Sequence, residues 1–367
     1  MSEGKKTPFY EKHIAAKGKI VDYYGWLLPV QFPQGLIEEV HDTRKRATIF
    51  DVSHMGEVTV KGKDAEAFLQ KVLTNDVSRL KDNAIMYSPV CYEDGGVVDD
   101  ILVYRINSEN YFLVVNAANT DKDFEWFQDN CFGNVNLQNV SAEYAQIALQ
   151  GPFSEAILQE LTDVNLADMR FYRFLSDVSV AGVNCIVSRT GYTGEDGFEV
   201  YCKNDDAEAL WDAVWKAGQK KELRPAGLGA RDVLRLEASL PLYGHEMSRE
   251  ITPLQAKLGR FVALDKPVPF NGQDALKKQK QEGMNRMLFG LEMLERGVAR
   301  EGYPVQSGDQ EIGWVSSGSY SPSLDKSIAM AFLDPDQVMQ DDEVSIMIRK
   351  RSYRARITKI PFYRREK

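Results

Sequence analysis

Two adjacent acids, Asp99 and Asp100, interrupt an otherwise apolar stretch, Gly95-Gly-Val-Val-Asp-Asp-Ile-Leu-Val-Tyr104. Successive strand residues face opposite sides, so only one of the two carboxylates can point into any given cavity. The pair reads either as turn-flanking acids facing water or as one carboxylate held against a core. In the second case it serves as acid, base or charge stabiliser. Another acid, Glu199, follows the loop Arg189-Thr-Gly-Tyr-Thr-Gly-Glu-Asp-Gly197 and sits in an apolar strand. The close glycines mark a tight turn. The Gly-x-x-x-x-Gly-Lys pattern is missing and two acids lie inside, which excludes a phosphate-binding loop. Glu199 reads as an edge-strand acid or as a buried carboxylate that accepts two parallel N–H donors from a ligand. The 2-amino-4-oxo edge of a pterin presents such a pair, and paired charge-assisted hydrogen bonds are strong.

Two cations, Arg231 and Arg235, follow in Gly227-Leu-Gly-Ala-Arg-Asp-Val-Leu-Arg-Leu-Glu237, four residues apart on one helix face. They repel unless something anionic is near: Asp232 or Glu237, or a ligand carboxylate or carbonyl. His54, in Phe50-Asp-Val-Ser-His-Met-Gly56, has no Ser or Cys partner pattern and reads as a structural hydrogen-bonder. No Gly-x-Ser-x-Gly elbow points to a hydrolase. No Gly-x-Gly-x-x-Gly after a strand points to a dehydrogenase.

The elements that must position these groups alternate between helix and strand. Helices are expected over 36–47, 64–73, 116–127 and 228–239, and strands over 49–52, 57–60, 97–104 and 111–115. Glu57-Val-Thr-Val-Lys-Gly-Lys-Asp-Ala-Glu-Ala echoes Glu199-Val-Tyr-Cys-Lys-Asn-Asp-Asp-Ala-Glu-Ala. Each reads as a strand, a polar turn with an N-capping Asp, and a helix start. The echo reads as chance or as a repeated α+β unit. From Met287 the pattern becomes strand-like, over 287–293, 311–317, 327–332, 343–348 and 354–360, separated by turn residues. That is the signature of a small β-barrel or sandwich. The domains are expected at 1–285 and 286–367.

The chain has 367 residues and a formal net charge of −9, which shifts expectation away from a nucleic-acid binder. The stretch Met347–Lys367 is rich in Arg and Lys, as a solvated strand face or as a patch facing a polycarboxylate or an acidic partner. Four dispersed cysteines and four histidines without metal-ligand spacing predict reduced thiols and no metal site. The start carries no signal core, and no run of 18 apolar residues exists, so a cytoplasmic protein without a membrane span is expected.

Read in order, Tyr24-Gly-Trp-Leu-Leu-Pro, Phe50-Asp-Val-Ser-His-Met, Gly95-Gly-Val-Val-Asp-Asp, Val114-Val-Asn-Ala-Ala-Asn, Leu149-Gln-Gly-Pro, Gly191-Tyr-Thr-Gly-Glu, Gly227-Leu-Gly-Ala-Arg-Asp, Leu234-Arg-Leu-Glu-Ala and Ser317-Gly-Ser-Tyr-Ser-Pro-Ser-Leu resemble the glycine cleavage T-protein family. The resemblance runs from about Thr7 to Lys367. It implies an α+β fold of three domains in a clover-leaf, two ferredoxin-like folate-binding subdomains plus a C-terminal β-barrel. It implies Asp99 as the key acid, Glu199 as the pterin-gripping carboxylate and Arg231 as a folate contact, with Tyr87, Asn116, Tyr192 and Met55 lining the folate pocket. The implied reaction moves a one-carbon unit from the lipoyl arm of an H-protein partner to the co-substrate tetrahydrofolate, without a metal. A monomer or weak dimer that binds neither nucleic acid nor membrane is expected. Two other readings stand beside it: a folate-linked demethylase module for dimethylglycine or sarcosine, and a non-catalytic folate-binding protein of iron–sulfur cluster maturation. No dinucleotide fingerprint supports the former. The latter carries a Cys motif near the Gly227 region, where this chain has none.

Overall fold

A computed structural model describes residues 4–365, leaving Lys367 of the basic tail outside the described residues. The chain divides into two compact units. Among the described residues, the first comprises 4–68, 78–86 and 101–232, and the second 69–77, 87–100 and 233–365.

The first unit is built on a six-stranded sheet. Its order is Phe174–Val180, Val183–Ser188, Gly197–Lys203, Tyr144–Gln150, Thr48–Asp51 and Arg224–Pro225. Glu199 lies on the third of these strands, opposite Ser188 on one side and Ala148 on the other. It is therefore interior to the sheet, which overturns the edge-strand reading. Alternation does the rest. Phe198, Val200 and Cys202 join one apolar core, with Leu210, Trp211 and Val214 of the helix Ala207–Gly218. Those helix residues recur at the spacing of one face. Glu199 and Tyr201 point the other way, and Tyr201 joins a second core with Tyr104, Phe112 and Phe174.

A five-stranded sheet runs in the order Ala84–Cys91, Val97–Asn107, Asn110–Val115, Gly56–Lys61 and Asn136–Asn139. Both halves of the sequence echo form strand, turn and helix: Gly56–Lys61 with Ala65–Val72, and Gly197–Lys203 with Ala207–Gly218. The expected Asp caps are not made as predicted. Asp206 holds the N-cap position at φ −98° and ψ −3°, already helical rather than extended, and its side chain makes no capping bond. The Asp64 carboxylate accepts the backbone N–H of Asn134 at 2.7 Å.

In the second unit six strands close into a barrel, in the order Met287–Met293, Lys326–Leu333, Gln310–Ser321, Pro304–Ser307, Glu343–Ile348 and Arg351–Thr358. Leu291, Val305, Val315, Ala331, Ile346 and Ile357 fill its interior. The four-residue strand Pro304–Ser307 escaped the sequence reading. Arg354 and Arg356 of the basic stretch pair with Glu295 and Glu343, the arrangement of a solvated strand face. No described helix is long and apolar enough to cross a membrane.

Candidate functional site

The residues singled out by type and spacing divide between the units. Met55, Asn116, Tyr192, Glu199 and Arg231 belong to the first, and Tyr87 and Asp99 to the second.

In the first unit Glu199 is 7 % exposed. Its Oε1 accepts from Gln146 Nε2 at 3.3 Å, and its Oε2 accepts from the Thr190 hydroxyl. A carboxylate offers about four lone-pair directions, so one donor on each oxygen leaves room for a further donor on each. Burial pushes its pKa up, while the Thr190 bond and the charge of Arg231 oppose that rise. Arg231 lies over the ring of Tyr192, and its charge also reaches His54. Arg231 is carried by the helix Leu228–Glu237, whose start is held from below. Glu39 accepts the N–H groups of Phe32 at 2.5 Å and Gly227 at 2.9 Å. Burial, against those two bonds, moves Glu39 up to about 6. A Cβ at Gly227 would stand 2.6 Å from Val30 backbone atoms, so only glycine allows that approach.

The glycine-rich loop before Glu199 is fastened by its own charges. Asp196 pairs with Arg189, whose guanidinium also reaches Glu155 and the carbonyls of Leu166 and Met169. Glu195 pairs with Arg44 at 2.9 Å. The two acids that argued against a phosphate loop are thus structural. A Cβ at Gly191 would meet the Gln150 amide at 2.0 Å. That amide donates to the Thr190 carbonyl at 3.1 Å and accepts from Thr193 at 2.8 Å, which sets where Thr190 stands.

His54 is buried but does not act as the expected hydrogen-bonder through Nδ1, which has no partner among the described residues. Its ring packs edge-on against Tyr23, and burial, then Arg231, lowers its pKa to about 4. The bonding in this motif falls to Asp51, which accepts from Thr7 at 2.6 Å and meets His13 Nε2 at 2.7 Å. Met55 packs, half-buried, beside the core that holds Tyr201. Asn116 is half-buried, and its carbonyl accepts the Asn119 N–H at 2.9 Å.

In the second unit Asp99 is fully buried and Asp100 half-buried. The alternation expected of a strand is therefore realised, with Asp99 on the core side. Tyr87 donates to Asp100 at 2.9 Å and packs edge-on against Phe261. Gly96 is required here, because a Cβ would sit 1.9 Å from the Arg249 carbonyl. Arg235, at the same helical spacing as Arg231, has a different fate. It pairs with Glu246 at 2.7 Å and donates to Ser317 at 2.8 Å, fully buried. The buried Glu246 carboxylate supplies the anion that Arg235 requires, without a ligand. The Glu237 carboxylate accepts from Ser321 and Ser323, and its backbone carbonyl accepts the Tyr363 N–H. Among the described residues no group of three or more His, Cys, Asp or Glu side chains is placed to hold a metal ion.

The sequence reading missed Thr190, Gln146, Ser188, Tyr104 and Tyr201, all buried around Glu199. One signal existed: Ser188 and Thr190, like Glu199 and Tyr201, are polar residues two apart at strand spacing.

Residues 9–266 match the model of the GCVT N-terminal domain, and residues 286–364 that of the glycine cleavage T-protein C-terminal barrel domain. The chain belongs to the glycine cleavage T-protein family. Within it, the chain is 52 % identical over 365 residues to an aminomethyltransferase of Natranaerobius thermophilus, covering all of both chains. It is 52 % identical over 367 residues to an aminomethyltransferase of Desulfitobacterium hafniense strain Y51, again over the whole of both. The crystal structure of glycine cleavage system aminomethyltransferase T from Bartonella henselae superposes with a TM-score of 0.90 at 31 % identity, covering 98 % of each chain.

Proposed function

We propose that this chain is an aminomethyltransferase. It takes the methylene carbon of an aminomethyl group on the lipoyl arm of an H-protein and gives it to tetrahydrofolate. The carbon's bonds to sulfur and to the amine nitrogen break, and bonds to N5 and N10 of the folate form. The two protons released from N5 and N10 end on the lipoyl thiol and on ammonia, so the products are 5,10-methylenetetrahydrofolate, ammonia and the dihydrolipoyl carrier.

The observation that carries this reading is the Glu199 carboxylate, buried and with one protein donor on each oxygen. That arrangement suits two parallel N–H donors of a pterin. Arg231, without a carboxylate partner among the described residues and set over Tyr192, suits an anionic or carbonyl group of the same class of ligand. Met55, Tyr87, Asn116 and Tyr192 are proposed as further folate contacts.

N5 is a competent nucleophile, so no activated Ser or Cys is required. The barrier lies in positioning and in positive charge developing at nitrogen. Asp99 is the proposed catalytic group: a fixed buried carboxylate stabilises that charge and handles the N10 proton. The low dielectric around a buried carboxylate enlarges its effect. The division at residues 285 and 286 is proposed as the functional domain boundary, and the cytoplasm as the place of action.

Aminomethyl-loaded lipoyl carrier mixed with the protein and tetrahydrofolate should yield methylenetetrahydrofolate and ammonia in equal amounts. Folate binding without turnover would instead favour a non-catalytic folate-binding protein.

A further inference from the structure

We infer that four buried hydroxyls, Tyr201, Tyr104, Ser188 and Thr190, form a directional relay that positions Glu199 and holds it ready to accept a ligand's N–H donors. This rests on the reading of Glu199 as the pterin-gripping group.

The chain of contacts is unbroken. The Tyr201 and Tyr104 hydroxyls are 2.9 Å apart, Tyr104 and Ser188 3.1 Å, and Ser188 and Thr190 2.8 Å. Thr190 then bonds Glu199 Oε2. Every member is 2 % exposed or less apart from Glu199 itself. The four hydroxyls come from three strand segments and a loop, so tertiary folding alone assembles them.

Each hydroxyl has a single proton, and that fixes the direction. Thr190 donates to the carboxylate, so its oxygen can only accept from Ser188. Ser188 then accepts from Tyr104, and Tyr104 accepts from Tyr201. All four O–H groups point down the chain toward Glu199. Ser188 has one competing acceptor, the Glu199 carbonyl at the longer distance of 3.3 Å. Bonds in such a series polarise one another, so the distal tyrosines strengthen the Thr190 bond without touching the carboxylate. A protonated Glu199 could donate to Thr190 only if every O–H in the series reversed, Tyr201 included.

The other groups facing Glu199 are few. Gln146 donates from the neighbouring strand, and Arg231 contributes charge. Tyr104 and Tyr201 are held neutral well above the usual phenol range by burial. The Glu57 carboxyl, whose charge reaches Tyr201, has oxygens with no hydrogen-bond partner among the described residues, and burial pushes its pKa up. Burial favours the neutral form of Glu199, and the relay opposes it.

The test is the dissociation constant of tetrahydrofolate, measured by anaerobic equilibrium dialysis across the acidic to neutral range. The full chain would carry Thr190→Val, Thr190→Ser, Tyr201→Phe or Glu199→Gln, each checked for native circular dichroism. Thr190→Val should weaken binding by roughly tenfold at neutral pH. It should also move the acid limb of binding to higher pH, since Glu199 then ionises later. Tyr201→Phe should do the same to a smaller degree, and Thr190→Ser should restore both. A folded Thr190→Val protein with unchanged affinity and pH midpoint, beside a weakened Glu199→Gln, overturns the relay alone. Unchanged folate affinity in Glu199→Gln overturns the underlying reading of the site.

Discussion

The guanidinium carbon of Arg231 stands 4.8 Å from the centre of the Tyr192 ring, and no carboxylate pairs with it among the described residues. Four residues on, Arg235 is locked into a buried pair with Glu246. Of these two arginines, Arg235 is tied into a buried pair, and Arg231 is the one proposed to meet a ligand. Arg231→Met should therefore weaken folate binding by about one to two orders of magnitude, the scale of a charged contact, and leave the melting temperature nearly unchanged. Isothermal titration with tetrahydrofolate, beside a thermal melt, checks both halves. A large loss of stability would mean that Arg231 is structural.

For Arg235 the expectation is reversed. Glu246 also accepts from Ser316 at 2.6 Å and from the Leu242 N–H at 3.1 Å. Removing one partner of a buried pair leaves the other charge stranded, at a cost of roughly 3–5 kcal/mol. Glu246→Gln should lower the urea midpoint accordingly, without altering folate affinity in whatever protein remains folded. A midpoint within error of wild type would contradict the assignment.

His54 makes a prediction about pH. The folded ring takes up its proton near pH 4, against about 6.5 for an exposed histidine. As pH falls the unfolded chain binds that proton first, so stability drops between about pH 6.5 and 4, by up to roughly 3 kcal/mol from this group. His54→Asn should flatten that part of the stability curve. A ring titration midpoint near 6.5 by NMR would refute it, and would reopen a role for His54 in proton transfer at neutral pH.

How far the sequence alone reached is clear from particular residues. The helices and strands around Asp99, Glu199 and Arg231 were legible because hydrophobic period follows from local geometry. The barrel was legible from its turn residues, except for Pro304–Ser307, too short to show alternation. Buried position was half-legible: the apolar neighbours of Glu199 suggested a strand, but its interior place depends on a second partner strand that pairs it with Ala148, far back in the sequence, besides Ser188 on the neighbouring strand. The relay was illegible for the same reason. Tyr104 and Ser188 are 84 residues apart, and Arg235 meets Ser317 across 82. The Asp206 cap failed because backbone angles at the helix start, not residue type, decide whether a side chain can reach back.

The central claim is that a buried carboxylate on the strand Val97–Asn107 performs the chemistry while Glu199 and Arg231 hold the folate. It is tested most directly by Asp99→Asn, assayed with aminomethyl-loaded lipoyl carrier for ammonia and methylenetetrahydrofolate, with folate binding measured on the same preparation. The account predicts that turnover falls by about two to four orders of magnitude while folate affinity is retained. Full turnover in Asp99→Asn would contradict it and move the catalytic role to another group.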